Sequence, residues 1–272
     1  MRLICAFLMM LALGGTAYAD QTPLQRLQTG DDNRGWEAVG KLMLGDRGFC
    51  TGALISPTLV LTAAHCLFDK ETGARIDPSQ IKFLAGWRNG RAEAYRGVRQ
   101  AVAHPDYVYG GSDQLDRVAL DVAVMELDQP ILLTSVKPFA IGDAPVAGDT
   151  VGVVSYAQDR ADAPSLQRQC NVTDRQTGIL VMTCDVDFGS SGAPVFRMKD
   201  GVAQVVSVIS AKAELEGKRV SLGSALQIPL ARLMAELAAG TPSKGVAGNV
   251  QVLSGGGGGG AKFLKPAVTA AP

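Results

Sequence analysis

The chain has 272 residues, with 26 Lys and Arg against 26 Asp and Glu and a formal net charge of zero. With 47% hydrophobic and 19% charged residues, it is too apolar for a disordered solvating chain. It also lacks the basic excess of a protein that grips nucleic-acid phosphates. Its 32 Gly follow no triplet repeat, which excludes collagen and points to a loop-rich β protein long enough to bury a core.

Residues 1–19 read as a secretory signal peptide. Arg2 supplies the positive start, Leu3 to Leu13 an apolar run, and Ala17-Tyr18-Ala19 the small residues of a cleavage site. The run falls short of the roughly 20 apolar residues that a span needs, and no second run follows, so no stable membrane span is expected. The expected location is secreted, periplasmic or extracellular. Loss of Cys5 leaves Cys50, Cys66, Cys170 and Cys184, an even number that suggests two disulfides in an exported chain. Three pairings are open. Sequence neighbours pair most simply, as Cys50–Cys66 and Cys170–Cys184, each closing about 15–17 residues and worth on the order of 3 kcal/mol by loop entropy. There is no Cys-x-x-Cys spacing and only two histidines, so neither a metal nor an organic cofactor is expected.

Residues 20–35 are polar, expected to be loose and open to trimming. From Trp36 onward short apolar runs alternate with turn signals: Val39 to Leu44, Gly52 to Ile55, Leu59 to Leu61, Ile81 to Leu84, Val98 to Ala103 and Val122 to Leu127. The pattern continues with Thr150 to Ser155, Gly178 to Cys184, Ala193 to Phe196 and Val205 to Ser210. Strands at this spacing predict an all-β sandwich or barrel rather than βαβ units. One stretch reads as helical: Leu226 to Ala239 spaces Leu226, Leu230, Leu233, Met234 and Leu237 on one face, with Gly240 as the stop. Residues 241–272 carry six consecutive glycines, Gly255 to Gly260, and read as a flexible tail.

Three segments carry chemistry, in this order: Leu61-Thr62-Ala63-Ala64-His65-Cys66, Leu120-Asp121-Val122-Ala123-Val124, and Asp187-Phe188-Gly189-Ser190-Ser191-Gly192-Ala193-Pro194. A serine hydroxyl needs a base beside it to become a nucleophile. Imidazole can take that proton and return it to a leaving group, and a carboxylate behind the ring fixes its tautomer. Glycines around a serine let backbone N–H groups turn toward a developing oxyanion. Both histidines, His65 and His104, precede Ser191, which excludes the Ser, Asp, His order of α/β-hydrolases. A subtilisin-like order would need Asp46, and the strand-rich pattern argues against it. Asp121 is preferred to its neighbour Asp116 because it directly precedes an alternating apolar run. Ser190 reads as the spacer in Gly-x-Ser-Gly, and His104 as a loop residue.

Over about Trp36 to Ala239, and most closely from Cys50-Thr51-Gly52-Ala53-Leu54-Ile55 through His65-Cys66, the chain resembles the trypsin-like, chymotrypsin-fold serine proteases, nearer to compact bacterial secreted members. The resemblance implies an all-β fold of two packed six-stranded antiparallel barrels with a C-terminal helix. Residues 36–135 would form the first barrel, with His65 and Asp121, and residues 136–240 the second, with Ser191. It further implies His65 as general base, Asp121 as its orienter, Ser191 as nucleophile and the amides of Gly189 and Ser191 as the oxyanion hole. Cys50–Cys66 would staple the histidine loop. The implied activity is endopeptidase action through an acyl-enzyme on a protein or peptide substrate, by a monomer that binds no nucleic acid. A protease-like binding module and an esterase on the same scaffold are the rival readings.

The sequence also departs from that family. Trypsins place an aspartate directly before the nucleophile, engaged by a new N-terminus; here Ser190 stands there, and no Ile-Val-Gly-Gly occurs upstream. Asp185 lies six residues before Ser191, where trypsins hold Arg or Lys side chains, so a basic preference is expected. Against it, Lys212 stands near the place where the family usually keeps a glycine that holds the pocket open, and could neutralise Asp185 or fill the pocket. Ile209 replaces the histidine of glutamate-specific relatives. Ser210 is expected to bond the substrate backbone or Asp121.

Overall fold

The computed structural model describes residues 21–111 and 114–240. The expected signal peptide, residues 1–19, and the glycine-rich tail, 241–272, lie outside the described residues. In chain order the strands are β1 (Gln25–Arg26), β2 (Val39–Leu44), β3 (Phe49–Ser56), β4 (Leu59–Thr62), β5 (Ile81–Ala85), β6 (Ala94–Ala103) and β7 (Ala123–Leu127). They continue as β8 (Ala140–Ile141), β9 (Thr150–Ser155), β10 (Ser165–Gln176), β11 (Ile179–Met182), β12 (Pro194–Lys199), β13 (Val202–Leu215) and β14 (Lys218–Ala225). Two helices accompany them, α1 (Gln114–Ala119) and α2 (Gln227–Ala238).

Strands β2-β3-β4-β7-β6-β5 close a six-stranded antiparallel barrel. A second cycle, β9-β10-β11-β14-β13-β12, closes through the pairing of β9 with both β10 and β12. Closure pairs every strand of each six-stranded cycle on both sides, leaving only the two-residue β1 and β8 paired on one side among the described strands. The second barrel has its own core, including Val153, Leu180, Met182 and Val195. A larger cluster fills the first barrel and runs across the junction to Tyr156, Phe196, Val205 and Val208 of the second. There the Phe196 ring lies 5.0 Å from Trp36 and 4.7 Å from Phe139, aromatic geometry that adds about 0.5–1.5 kcal/mol per pair beyond area burial.

Sequence patterning missed two strands of the second barrel. In β10, Ser-Leu-Gln-Arg-Gln-Cys-Asn-Val-Thr-Asp-Arg-Gln offers few apolar residues, and its far half is largely exposed. β14 buries small polar residues instead: Ser224 Oγ donates to Val118 O at 2.6 Å and Ser221 Oγ to Met182 O at 3.4 Å. Serines satisfied this way sit inside a sheet without producing hydrophobic alternation. The short helix α1 also went unseen, being too brief for a periodic signal. Helix α2 ends before Gly240, whose φ is +65°. It docks Leu226, Leu230 and Leu233 on the first barrel's cluster, whereas Met234, expected on that face, is 38% exposed.

The amino-terminal segment is not loose. Gln25 and Arg26 pair with Leu166 and Ser165 of β10, and Leu27 is fully buried. Thr29 and Asp32 bond reciprocally, Thr29 N to Asp32 Oδ2 at 3.0 Å and Asp32 N to Thr29 Oγ1 at 3.1 Å. Its polarity concealed a strap whose backbone joins the second sheet.

Two disulfides form, Cys50–Cys66 and Cys170–Cys184, at sequence separations of 16 and 14. Replacing Cys170 and Cys184 together by alanine should lower unfolding free energy by about 3 kcal/mol, read as an earlier denaturant midpoint. An unchanged midpoint would mean that the loop is already constrained by β10–β11 pairing.

Candidate active site

The register of the first barrel brings two of the predicted residues together. Thr62, at the end of β4, pairs with Ala123, at the start of β7. His65 follows on a 3-10 turn, Ala64–Leu67, and Asp121 stands just before β7, so neighbouring strand ends carry imidazole and carboxylate side by side. His65 Nδ1 lies 2.7 Å from Asp121 Oδ2, and the His65 backbone N–H donates to Oδ1 at 2.8 Å. A carboxylate accepts only, so Nδ1 carries the proton and Nε2 is left as the acceptor. Cys66, bonded to Cys50 on β3, pins the turn from its other side. Those two sulfurs and the His65 ring cluster within 4.8 Å, but sulfurs joined to each other are not thiolate ligands.

The second barrel contributes Ser210. The pairing of β13 with β14 shifts register between Ile209 and Ala211, a bulge that re-aims Ser210 out of the regular alternation. Its hydroxyl donates to Asp121 Oδ2 at 2.5 Å. Bonding of Asp121 is one of the two roles expected of Ser210. Asp121 is 3% exposed, and its charge is met by three donors from two barrels. That is the condition for keeping a carboxylate out of water.

Ser191 lies on the segment entering β12 and is fastened on both sides. Thr51 N of β3 donates to Ser191 O at 2.9 Å, and Gly192 N donates to Ile209 O at 2.7 Å. Residue 192 abuts the strand leading to His65: a Cβ there would stand 2.1 Å from Thr62 Oγ1, 2.5 Å from Thr51 O and 2.8 Å from Ala63 N, at a φ of +75°. Glycine is required on both counts. Ser191 is thereby seated against the histidine segment, although no hydrogen bond joins its hydroxyl to the His65 ring among the described residues. Such contacts often tighten only with substrate bound.

Upstream, Ser190 N donates to Asp187 O at 2.8 Å, closing a four-residue turn whose third residue, Gly189, has φ +96°. Positive φ at that place is the type II arrangement. A Cβ on Gly189 would fall 2.4 Å from the Phe49 ring, so the fold admits nothing larger. Thr51 Oγ1 donates to Gly189 O at 2.8 Å.

The specificity candidates are placed differently from expectation. Asp185 is exposed, with its backbone N–H donating to Gln167 Oε1 at 2.7 Å. Lys212 meets another carboxylate: its Nζ donates to Asp187 Oδ1 at 2.7 Å and lies 4.1 Å from the Phe188 ring centroid. The hydrogen bond from Lys212 holds the Asp187 carboxyl below the usual range, against the opposing effect of burial. His104 is 4% exposed, accepts the Asp106 N–H at 3.3 Å through Nδ1, and is pushed by burial toward its neutral form. Sequence reasoning missed Thr51 and Arg160. Thr51 falls within the Cys50–Ile55 run without any role attached to it, Arg160 lies outside the motifs, and their cross-chain bonds to residues 189–191 are what mark them.

The trypsin family model matches residues 29–225. Among curated proteins, glutamyl endopeptidase of Bacillus licheniformis is 27% identical over 151 residues, covering 55% of this chain and 46% of its own. Serine protease 23 of Mus musculus is 28% identical over 167 residues, covering 54% and 42%. Clotting factor C of Tachypleus tridentatus is 32% identical over 117 residues, covering 39% and 11%. The chain thus spans less than half the length of these curated relatives. A solved Glu endopeptidase, in complex with MPD, shares the fold at a TM-score of 0.63 and 19% identity, over 79% of this chain and 96% of the other.

Substituting Gly192→Ala should cost about 2–5 kcal/mol, from the left-handed backbone and the contacts at Thr62 and Ala63 together. Chemical denaturation measures this. A variant as stable as the parent would mean that residue 192 does not abut the histidine segment.

Proposed function

We propose that this chain, which belongs to the trypsin family, is an exported serine endopeptidase that works through His65, Asp121 and Ser191. The observation that carries the reading is the buried Asp121 carboxylate, bonded at once by His65 Nδ1, His65 N–H and Ser210 Oγ. It leaves His65 Nε2 as the acceptor, the atom to which this reading assigns the Ser191 proton.

Ser191 Oγ attacks the scissile carbonyl carbon while its proton passes to His65 Nε2. Asp121 stabilises the imidazolium, and the Gly189 and Ser191 N–H groups receive the oxyanion. The C–N bond then breaks, and Nε2 returns the proton to the leaving amine. Water, deprotonated by His65, releases the acyl group, and the proton goes back to Ser191. These steps call on no metal or organic cofactor.

A folded Ser191→Ala variant should have peptide hydrolysis at least about 10⁴-fold below the parent. A fluorophosphonate probe should label the parent at Ser191 and leave the variant untouched. An unlabelled parent would favour the binding-module reading. Labelling with turnover of esters alone would favour an esterase.

Primary specificity is proposed from Asp185 as a preference for Arg or Lys. Because that carboxylate is exposed, its selection is weak, on the order of 0–1 kcal/mol, or up to about fivefold over a neutral isostere. Acidic side chains are the second reading, favoured by Lys212, for whose ammonium such a side chain would compete with Asp187. It is favoured too by the glutamyl endopeptidase among the relatives. A peptide-library profile of parent and Asp185→Ala decides between them. Loss of a modest basic preference in the variant supports the first reading, and an acidic preference indifferent to Asp185 overturns it.

A further inference from the structure

Resting on the proposed catalytic reading, we propose that Arg160 is a positioning residue. From its turn beside the second barrel it holds Ser190, and so fixes the Phe188–Gly189 peptide with its N–H toward the nucleophile.

Arg160 is 5% exposed and closes a 3-10 turn, Gln158–Arg160, that lies against the oxyanion loop. Its Nη2 donates to Ser155 Oγ at 3.1 Å and to Ser190 Oγ at 3.4 Å, while Nη1 reaches the Asp159 carboxylate at 3.1 Å. The other end of the turn touches the same loop, with Gln158 N donating to Phe188 O at 2.8 Å. A trans peptide is planar, with N–H opposite C=O. The bond that holds the Phe188 carbonyl toward Gln158 therefore sends the Gly189 N–H the other way. Were this peptide to rotate, the Gln158 bond and the Gly189 donor would be lost together.

The Ser190 hydroxyl locks that orientation. A hydroxyl has one proton to give and two lone pairs to fill. Arg160 Nη2 and the Asp187 N–H, at 3.3 Å, approach as donors, and the Ser190 proton is directed to Tyr156 O or Ser155 Oγ, each at 3.2 Å. Ser190 is itself fully buried. Removing the guanidinium would leave its oxygen short of a donor and the four-residue turn free to relax. A buried cation directed at an uncharged hydroxyl thus braces the loop where the resemblance to trypsins would have placed an aspartate. Withdrawing a guanidinium from water is costly unless its N–H groups are met, and here the Asp159 carboxylate takes Nη1 while Ser155 and Ser190 take Nη2.

The test compares the parent with Arg160→Met, Arg160→Lys and Ser190→Ala on a peptide amide substrate, and measures the affinity of each for a peptide boronate. Arg160→Met should lower kcat by about 10–100-fold, less than outright removal of an oxyanion donor, with KM within about twofold. Boronate affinity should fall in parallel, because the tetrahedral adduct alone calls on the Gly189 N–H. Arg160→Lys should recover part of the loss, and Ser190→Ala should reproduce the same split. Parent-like kcat and boronate affinity in a folded Arg160→Met protein would overturn the inference. If that variant does not fold, parent-like values in Ser190→Ala would do so. A parent that fluorophosphonate fails to label would instead sink the catalytic reading, so the two failures are distinguishable.

Discussion

Asp121 is a carboxylate almost wholly withdrawn from water, and everything else around the site is arranged to make that tolerable. An isolated buried charge would cost several kcal/mol. Here one oxygen takes the His65 backbone N–H, and the other takes the imidazole and the Ser210 hydroxyl. The donors come from both barrels, so the charge is satisfied only when the barrels are docked. The aromatic contacts of Trp36, Phe139 and Phe196 hold that docking from the side, where no directional bond is needed.

The second organising feature is the segment from Asp187 to Ala193, whose backbone is held by residues distant in sequence. Thr51 on β3 bonds both Ser191 O and Gly189 O, and accepts the Tyr156 N–H at 3.1 Å through the same side chain. Gln158 and Arg160 hold it from behind, and Ile209 from β13. Such cross-bracing is the means by which a loop keeps the precision of the strands around it. It also accounts for the two glycines. Gly189 and Gly192 adopt positive φ where neighbouring atoms leave no room for a Cβ.

Much of this was legible beforehand because it is written locally. The Thr-Ala-Ala-His-Cys run, the Asp before an alternating strand and the Gly-x-Ser-Gly turn each name a residue type that the chemistry requires, in an order that separates one hydrolase architecture from another. Strands with apolar alternation are visible in the sequence, although β6 and β13 extend beyond the expected Val98 to Ala103 and Val205 to Ser210. β10 and β14 are not visible, because the first is polar along one half and the second buries serines that spend their hydrogen bonds on backbone carbonyls. The strap at Gln25 and Arg26 went unread for the same reason, since backbone pairing leaves no mark on side-chain polarity.

Sequence reading alone named the candidate imidazole, carboxylate and hydroxyl and their chain order, and favoured neighbour pairing among three open pairings of the four cysteines. Only the tertiary structure decided how those groups are held: that a bulge turns Ser210 onto Asp121, that Lys212 meets Asp187, that Asp185 faces water, and that Arg160 lies behind Ser190. The physical reason is range. Side-chain chemistry and periodicity are properties of a few consecutive residues. Burial and hydrogen-bond partnership arise between segments 25 to 138 residues apart, whose approach is set by the closure of the two barrels.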